Sequence, residues 1–295
     1  MTTASVRTVL TPRDIDVLAW LARTPLTNDQ LLRLSTTFAA PFRSDSRVRG
    51  RLLRMRAAGW VRRYRYATSE RGTPADYYKL TLAGYRILQG ESAESPTKRF
   101  FDELKLGRHH HAKSLADVLV HTATSAHQSV IRMSDIHPEN TLRLEIGSER
   151  LYPDGAFSLT TSSGRGFNFC LELDCGTEAL RSTKDRDSIE RKIRFYDRYQ
   201  DTASERFRVL FVVTRSEDRL AHILETAGKV VRNTRRSLCY GVLLEDSLRC
   251  PEALTSPCFR GQRVEPVALI PREPLSSALP DRTAQVMASQ LVRAG

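Results

Sequence analysis

The sequence predicts a mixed α/β (α+β) fold, with a helical N-terminal unit followed by a mixed-sheet unit of order αβββαβ. Three observations carry this. Helix-spaced apolar residues with capping signals dominate residues 1 to 90. Strand-length apolar runs at Val209 to Val213 and Tyr240 to Leu244 alternate with amphipathic helical segments. The 295 residues, 40% hydrophobic and 27% charged, exceed the roughly 100 to 200 of one domain, and this apolar content excludes a disordered chain. No run approaches the ~20 apolar residues of a membrane span. The N-terminus lacks the apolar core of a secretory signal, so a cytoplasmic location and no membrane partner are expected. Cys170, Cys175, Cys239, Cys250 and Cys258 include no C-x-x-C pair, which fits reduced thiols better than a disulfide framework or a zinc ribbon.

In the N-terminal unit, Thr11 before Pro12 is a helix start, with Ile15, Leu18 and Leu21 at helical spacing to about Arg23, where Pro25 closes the segment. Thr27 caps a second helix with Leu31, Leu32 and Leu34 on its apolar side. Ser44 or Ser46 opens a third, running to about Ala58 and stopped by Gly59. Trp60 to Tyr66 and Tyr77 to Thr81 flank a turn and form a β-hairpin, and Thr81-Leu-Ala-Gly-Tyr starts a closing helix. Three helices, a hairpin and a closing helix resemble a winged helix-turn-helix.

The charge is uneven. The net charge of +12 is concentrated in residues 1 to 100, with 18 Lys+Arg against 8 Asp+Glu. Arg47, Arg49, Arg51, Arg54, Arg56, Arg62, Arg63 and Arg65, with Arg43, crowd a stretch whose only acid is Asp45. On the third helix Val48, Leu52 and Met55 form a stripe suited to a core, and Arg47, Arg51 and Arg54 form a parallel cationic stripe. This is the footprint of phosphate contacts, and guanidinium groups also fork onto guanine. The expected partner is double-stranded DNA.

Gln89 to Pro96 is polar and small. The expected organisation is a DNA-binding domain over 1–90, a linker over 91–108, a mixed-sheet domain over 109–250 and a Pro-rich extension over 251–295 whose residues 281 to 294 form a short helix. Within 109–250 the pattern predicts a helix from His109 to about His127. Strands follow over Leu142 to Ile146, Leu151 to Leu159 and Gly166 to Asp174, then a helix from Thr183 to Tyr199 and a central strand Arg208 to Thr214. A helix Glu217 to Val231 and a strand Leu238 to Leu244 complete it. Consecutive His109, His110 and His111 diverge by 100° each on a helix, so at most one faces a site.

Along the third strand Asn168, Cys170, Glu172 and Asp174 point one way and Phe167, Phe169, Leu171 and Leu173 the other. Asp154 sits where Tyr152-Pro-Asp-Gly turns into the preceding strand, and Lys192 lies beside the buried stripe of the next helix. Acids on neighbouring strands plus an ammonium suit a divalent-metal phosphodiesterase, in which carboxylates hold Mg²⁺ and the lysine orients the nucleophile or steadies the phosphate charge. Taken singly, each has a plainer role in a turn, an ion pair or a solvated helix.

Tyr152-Pro-Asp-Gly, Leu171-Glu-Leu-Asp-Cys-Gly-Thr-Glu and Lys192-Ile-Arg-Phe-Tyr-Asp-Arg-Tyr, in this order after a winged helix, resemble the replication-relaxation family of bacterial and plasmid proteins. The resemblance implies a restriction-endonuclease-like domain similar to PD-(D/E)XK nucleases, with Asp154 as the motif aspartate and Glu172 as the second acid. The signature places Lys at position 174, where this chain has Asp174, and Lys192 stands as the substitute; the enzyme form of the resemblance puts Mg²⁺ or Mn²⁺ on Asp154 and Glu172, with Asp174 auxiliary and Lys192 beside the phosphate. Two functions stay open: a DNA-binding protein of a plasmid or mobile element in replication, relaxation or mobilisation, with or without endonuclease activity, or a non-catalytic transcriptional regulator. A relaxase or replication protein and a second copy of the chain are the further partners considered.

Overall fold

The computed structural model describes residues 8–67, 74–176 and 188–272. It has the mixed α/β class expected from the sequence, with a helical N-terminal region and a mixed seven-stranded sheet. The first helix, α1 (Pro12–Leu21), follows β-region Thr11 in a capping box with Asp14. A two-residue strand, β1 (Leu26–Thr27), leads into α2 (Asn28–Leu34), which is capped by Thr27 and Gln30. Then come α3 (Asp45–Ala57), the hairpin strands β2 (Val61–Arg65) and β3 (Asp76–Leu80), and α4 (Leu82–Gln89). The three strands form one sheet in the order β1-β3-β2.

Two glycines shape this region. Gly59 adopts φ +76°, a left-handed conformation that ends α3 and that a side chain would strain. At Gly84 a Cβ would stand 2.1 Å from the Trp60 carbonyl oxygen, so α4 can sit this close to the hairpin only with glycine there.

The stretch 91–108, expected to be a linker, carries α5 (Lys98–Phe101) and is tied down. Phe100 and Phe101 pack edge-on against Tyr85, the Leu104 amide donates to the Tyr77 hydroxyl, and Lys79 donates to the Asp102 carbonyl. Next comes α6 (His109–Gln128), the longest described helix. The remaining elements are β4 (Arg132–His137), β5 (Leu144–Ile146), β6 (Glu149–Leu151), β7 (Gly155–Thr160), β8 (Gly166–Asp174), α7 (Ile189–Thr202), β9 (Phe207–Val213), α8 (Glu217–Val230), β10 (Cys239–Leu243), α9 (Leu244–Arg249), β11 (Phe259–Gly261) and β12 (Pro266–Val267).

The large sheet has the order β12-β11-β10-β9-β8-β7-β4, with β8, β9 and β10 parallel and the outer pairings antiparallel. The apolar β9 is central, as its composition predicts. Alternation along the strands splits the core into two layers. Phe169, Leu171, Leu173, Leu210 and Val212 face α6, while Cys170, Val209, Phe211 and Val213 face α7 and α8.

Three departures from the sequence expectation have local causes. The expected strand Leu151 to Leu159 is broken at Tyr152 to Asp154. Pro153 has no amide to donate, so β6 pairs with β5 in a separate ribbon and β7 starts afresh at Gly155. The strand β4 lacked an apolar alternation to announce it, being a sheet edge with only half-buried or exposed residues. Beyond Leu244 the chain is not irregular throughout, since β11 and β12 extend the sheet, with Pro266 tolerated on its outermost strand. The helix start at Thr183 and the helix over 281 to 294 lie outside the described residues. All five cysteines are free thiols. Among the described residues no helix is long and apolar enough to cross a membrane.

The N-terminal unit is fastened internally by one buried acid. Asp14 is fully buried and accepts from the Thr11 amide and hydroxyl at 2.7 Å each and from the Arg51 Nε at 2.5 Å. Burial pushes the Asp14 carboxyl up, but its bonds to Arg51 and Thr11 outweigh that and hold it below its ordinary value. The resulting stabilisation is present above the unfolded carboxylate pKa and is lost as pH falls through the lowered folded value. Asp14→Ala removes the cap and strands a guanidinium, so urea unfolding should show a loss of about 3 kcal/mol or more. A loss under about 1 kcal/mol, typical of exposed pairs, would contradict this role.

Candidate functional site

The arginines of the basic stretch do not share one fate. Arg47, Arg54 and Arg62 are exposed. Arg49 is exposed and pairs with Asp45 at 2.7 Å, one turn before it. Arg63 and Arg65 flank Asp76 across the hairpin at 3.4 Å each, and Arg56 is half-buried. Arg51 is drawn inward to Asp14 and donates to the Val9 carbonyl at 2.7 Å, leaving its side chain only 12% exposed. The three-arginine stripe expected from the sequence is therefore broken in the middle. The outward face of α3 carries Ser46, Arg47, Gly50, Leu53, Arg54 and Ala57, positions three or four apart, with open space around Gly50.

The acids gather elsewhere, at the C-terminal end of β8. Gly155 pairs with Leu171 in the antiparallel ladder, which sets Asp154 beside the end of β8, and the Leu173 amide donates to Asp154 Oδ2 at 2.8 Å. Lys192 and Tyr196 lie one turn apart on α7 and reach the same carboxylate. Lys192 Nζ donates to Glu172 Oε2 at 2.9 Å and the Tyr196 hydroxyl donates to Oε1 at 2.5 Å. The structure thus joins Glu172 to Lys192 and places Asp154 within electrostatic reach of both.

Their charge states follow from the surroundings. Glu172 is pushed up to about 7, first by burial and then by the negative charge of Asp154, against the opposing pull of Lys192 and Tyr196. Burial also acts upward on Asp154, but His111, the Leu173 amide and Lys192 outweigh it and hold this carboxyl below its ordinary value. Tyr196 is pushed well above the ordinary phenol value by burial and by Glu172, so its hydroxyl remains a donor.

Asp174 stands apart from this cluster. Its carboxylate is held in a fork by Arg219 of α8, with Nε and a terminal nitrogen at 2.8 and 2.9 Å, and it is buried. Four residues outside the candidate set enter here, one of them from the histidine cluster of which at most one was expected to face a site. They are Tyr196, assigned only to packing; Arg219; His111, whose Nε2 lies 3.1 Å from Asp154 Oδ1; and Glu139, whose Oε1 lies 3.8 Å from His111 Nδ1. The spacing of Tyr196 four residues after Lys192 was the available signal for the first. Glu139 sits in the loop after an unrecognised strand and gave none.

The model of the replication-relaxation family matches residues 18–213, two thirds of the chain, from within α1 to the end of β9. The chain belongs to the replication-relaxation family. No curated protein and no solved structure matches it. The family match takes in the basic helix α3, Asp154, Glu172, Asp174 and Lys192 alike, while Arg219, α8 and the strands β10 to β12 lie past its end.

In this family member the elevated Glu172 makes stability depend on pH. A folded-state value near 7 against an ordinary 4.5 means the folded chain keeps a proton that the unfolded chain releases. The corresponding stabilisation is complete below the unfolded value and lost as pH rises through about 7. Glu172→Gln does not ionise. Its melting temperature, measured in EDTA, should gain on the parent between pH 5 and pH 8. A difference that stays constant over that range would refute the buried, proton-retaining carboxyl.

Proposed function

We propose that the chain is a duplex-DNA-binding protein of plasmid or mobile-element replication or relaxation, whose N-terminal unit is a winged helix-turn-helix. The observation that carries this reading is the outward face of α3. Arg47 and Arg54 stand on it two turns apart with Leu53 63% exposed between them, and the small Gly50 and Ala57 leave room for close approach. An arginine pair with an apolar side chain and no bulk matches a major groove, where guanidinium groups fork onto guanine and an aliphatic group meets a thymine methyl. Arg62, Arg63 and Arg65 on β2 supply the positioning contacts to the flanking backbone expected of a wing.

A second reading, that the sheet unit is an endonuclease of the PD-(D/E)XK type, is favoured by the convergence of Asp154, Glu172 and Lys192. It requires Mg²⁺ or Mn²⁺ to be shared by Asp154 and Glu172. Both Glu172 oxygens accept hydrogen bonds, from Lys192 and Tyr196, so a hard cation would compete with these partners for the carboxylate. The reading that follows is a nuclease-derived unit serving DNA binding, with strand cleavage the outcome that would restore the enzyme.

Two measurements decide these points. Arg47→Ala with Arg54→Ala should weaken binding of duplex DNA at least tenfold and make its salt dependence shallower, by about 0.9 in log–log slope for each phosphate no longer neutralised. Unchanged affinity would remove α3 as the reading head. Supercoiled plasmid incubated with protein and Mg²⁺ or Mn²⁺ should stay intact. Nicking that Lys192→Ala abolishes would establish the endonuclease instead.

A further inference from the structure

The parallel strands β8, β9 and β10 begin at one end of the large sheet, opposite the end that carries Glu172 and Asp174. A cleft of about 790 Å³ opens there, between the segment joining α7 to β9 and the loop before β10. Its walls carry Arg206, Arg208, Arg235 and Arg236 and, among the described residues, one acid, Glu205. That acid accepts from the Asn168 side-chain amide at 2.8 Å and is held against the wall.

The four arginines are not equivalent. Arg236 is committed to Asp201 at 2.9 Å and to the Asp197 carbonyl at 3.3 Å, so it belongs to the frame. Arg206 and Arg235 are exposed and have no carboxylate partner among the described residues. Arg208 is half-buried on β9, with its guanidinium 4.9 Å from the Phe167 ring and 5.1 Å from the Tyr240 ring, on the strands to either side. It donates to the Leu269 carbonyl, and no carboxylate among the described residues faces it. Burial pulls this guanidinium below its ordinary value. A cation half removed from water, beside further arginines and without a carboxylate, is costly unless an anion joins it.

We propose that this cleft binds single-stranded DNA, its arginines holding phosphates and its aromatic and guanidinium planes receiving an unpaired base. Shape and chemistry choose the single strand over the duplex. A duplex keeps its bases paired inside and presents its phosphates on a convex surface, which meets a cleft only at the rim. An unpaired strand bends into a concavity and brings a base with it. Guanidinium groups serve both parts of a nucleotide, forking onto the phosphate and stacking on the base. The half-buried Phe167, approached by Arg165 at 5.4 Å as well as by Arg208, is the wall on which the base lies. The volume falls in the range of sites that enclose one small ligand, enough for about one or two nucleotides of the strand. From Phe167 to Glu172 the strand advances about 16 Å, so the cleft is set apart from the acids that the nuclease resemblance singles out. The proposal rests on the reading of the sheet unit as a DNA-binding unit, and not on α3.

The test is fluorescence anisotropy of the full-length protein with a labelled oligothymidine about 20 nucleotides long, which forms no duplex. The parent should bind it, with a log–log salt slope of about 0.7 for each phosphate held. Arg206→Ala with Arg235→Ala, at two exposed positions, should weaken this binding tenfold or more while the melting temperature and the affinity for a mixed-sequence duplex stay unchanged. Arg47→Ala with Arg54→Ala should do the reverse. No binding of oligothymidine by the parent, equal affinity without the two cleft arginines, an equal loss for the duplex, or displacement by an equal concentration of thymidine monophosphate would each overturn the proposal. The role of α3 fails separately, by unchanged duplex binding in its own double variant.

Discussion

The structure depends on the burial of α6 from two sides at once. Ala116, Val120 and Ala123 belong to the apolar core of the N-terminal unit, and Leu115, Val118, Leu119 and Ala126 to the core under the large sheet. Polar contacts follow the same division. On one side Asp117 accepts from Gln30 and Arg33 of α2 at 3.0 and 2.7 Å. On the other, His121 bonds the Cys250 carbonyl and Ser125 the Leu254 amide. A helix stripped of its solvent face has no freedom to turn or slide, because any rotation would move alanines into space shaped for leucines and strand the buried Asp117.

This constraint gives the first turn of α6 its consequences. His109 accepts from the Ala67 amide at the end of β2 and contacts the Leu104 carbonyl, so its position is tied to the base of the hairpin. His111, half a turn further on, reaches Asp154 on the sheet. One helical turn thus touches both the N-terminal unit and the acid cluster. The three histidines that look alike in sequence have three different surroundings, since His110 between them is exposed.

How far the sequence could be read varied with the strength of the local signal. The helices with caps, namely those begun by Thr11, Thr27, Ser44 and Thr81, lie within a few residues of their expected places because capping and periodicity are local. The alternation in β8 gave the face of Glu172, and the position of Lys192 beside the buried stripe of the next helix put its amine near the sheet edge, but the bond between the two was not foreseen because the expected partner of Lys192 is the phosphate. What stayed hidden was long-range or edge-related. The edge strand β4 carries no core pattern, so Glu139 was missed. Arg51 looks like its neighbours on α3 until the buried Asp14, 37 residues earlier, claims it. Asp174 reads as a member of an acidic trio, but its partner Arg219 comes 45 residues later on another helix.

Both tryptophans, Trp20 and Trp60, lie in the N-terminal unit, and Trp20 also packs against the core of the large sheet. Tryptophan fluorescence therefore reports the N-terminal unit and its contact with the sheet unit, and far-ultraviolet circular dichroism, weighted toward the larger sheet unit, reports mainly the latter. Urea unfolding followed by both signals tests whether α6 welds the chain into one body. The account predicts coincident transitions with one midpoint and one slope. A fluorescence transition completed at lower urea, with the dichroism still native, would contradict it.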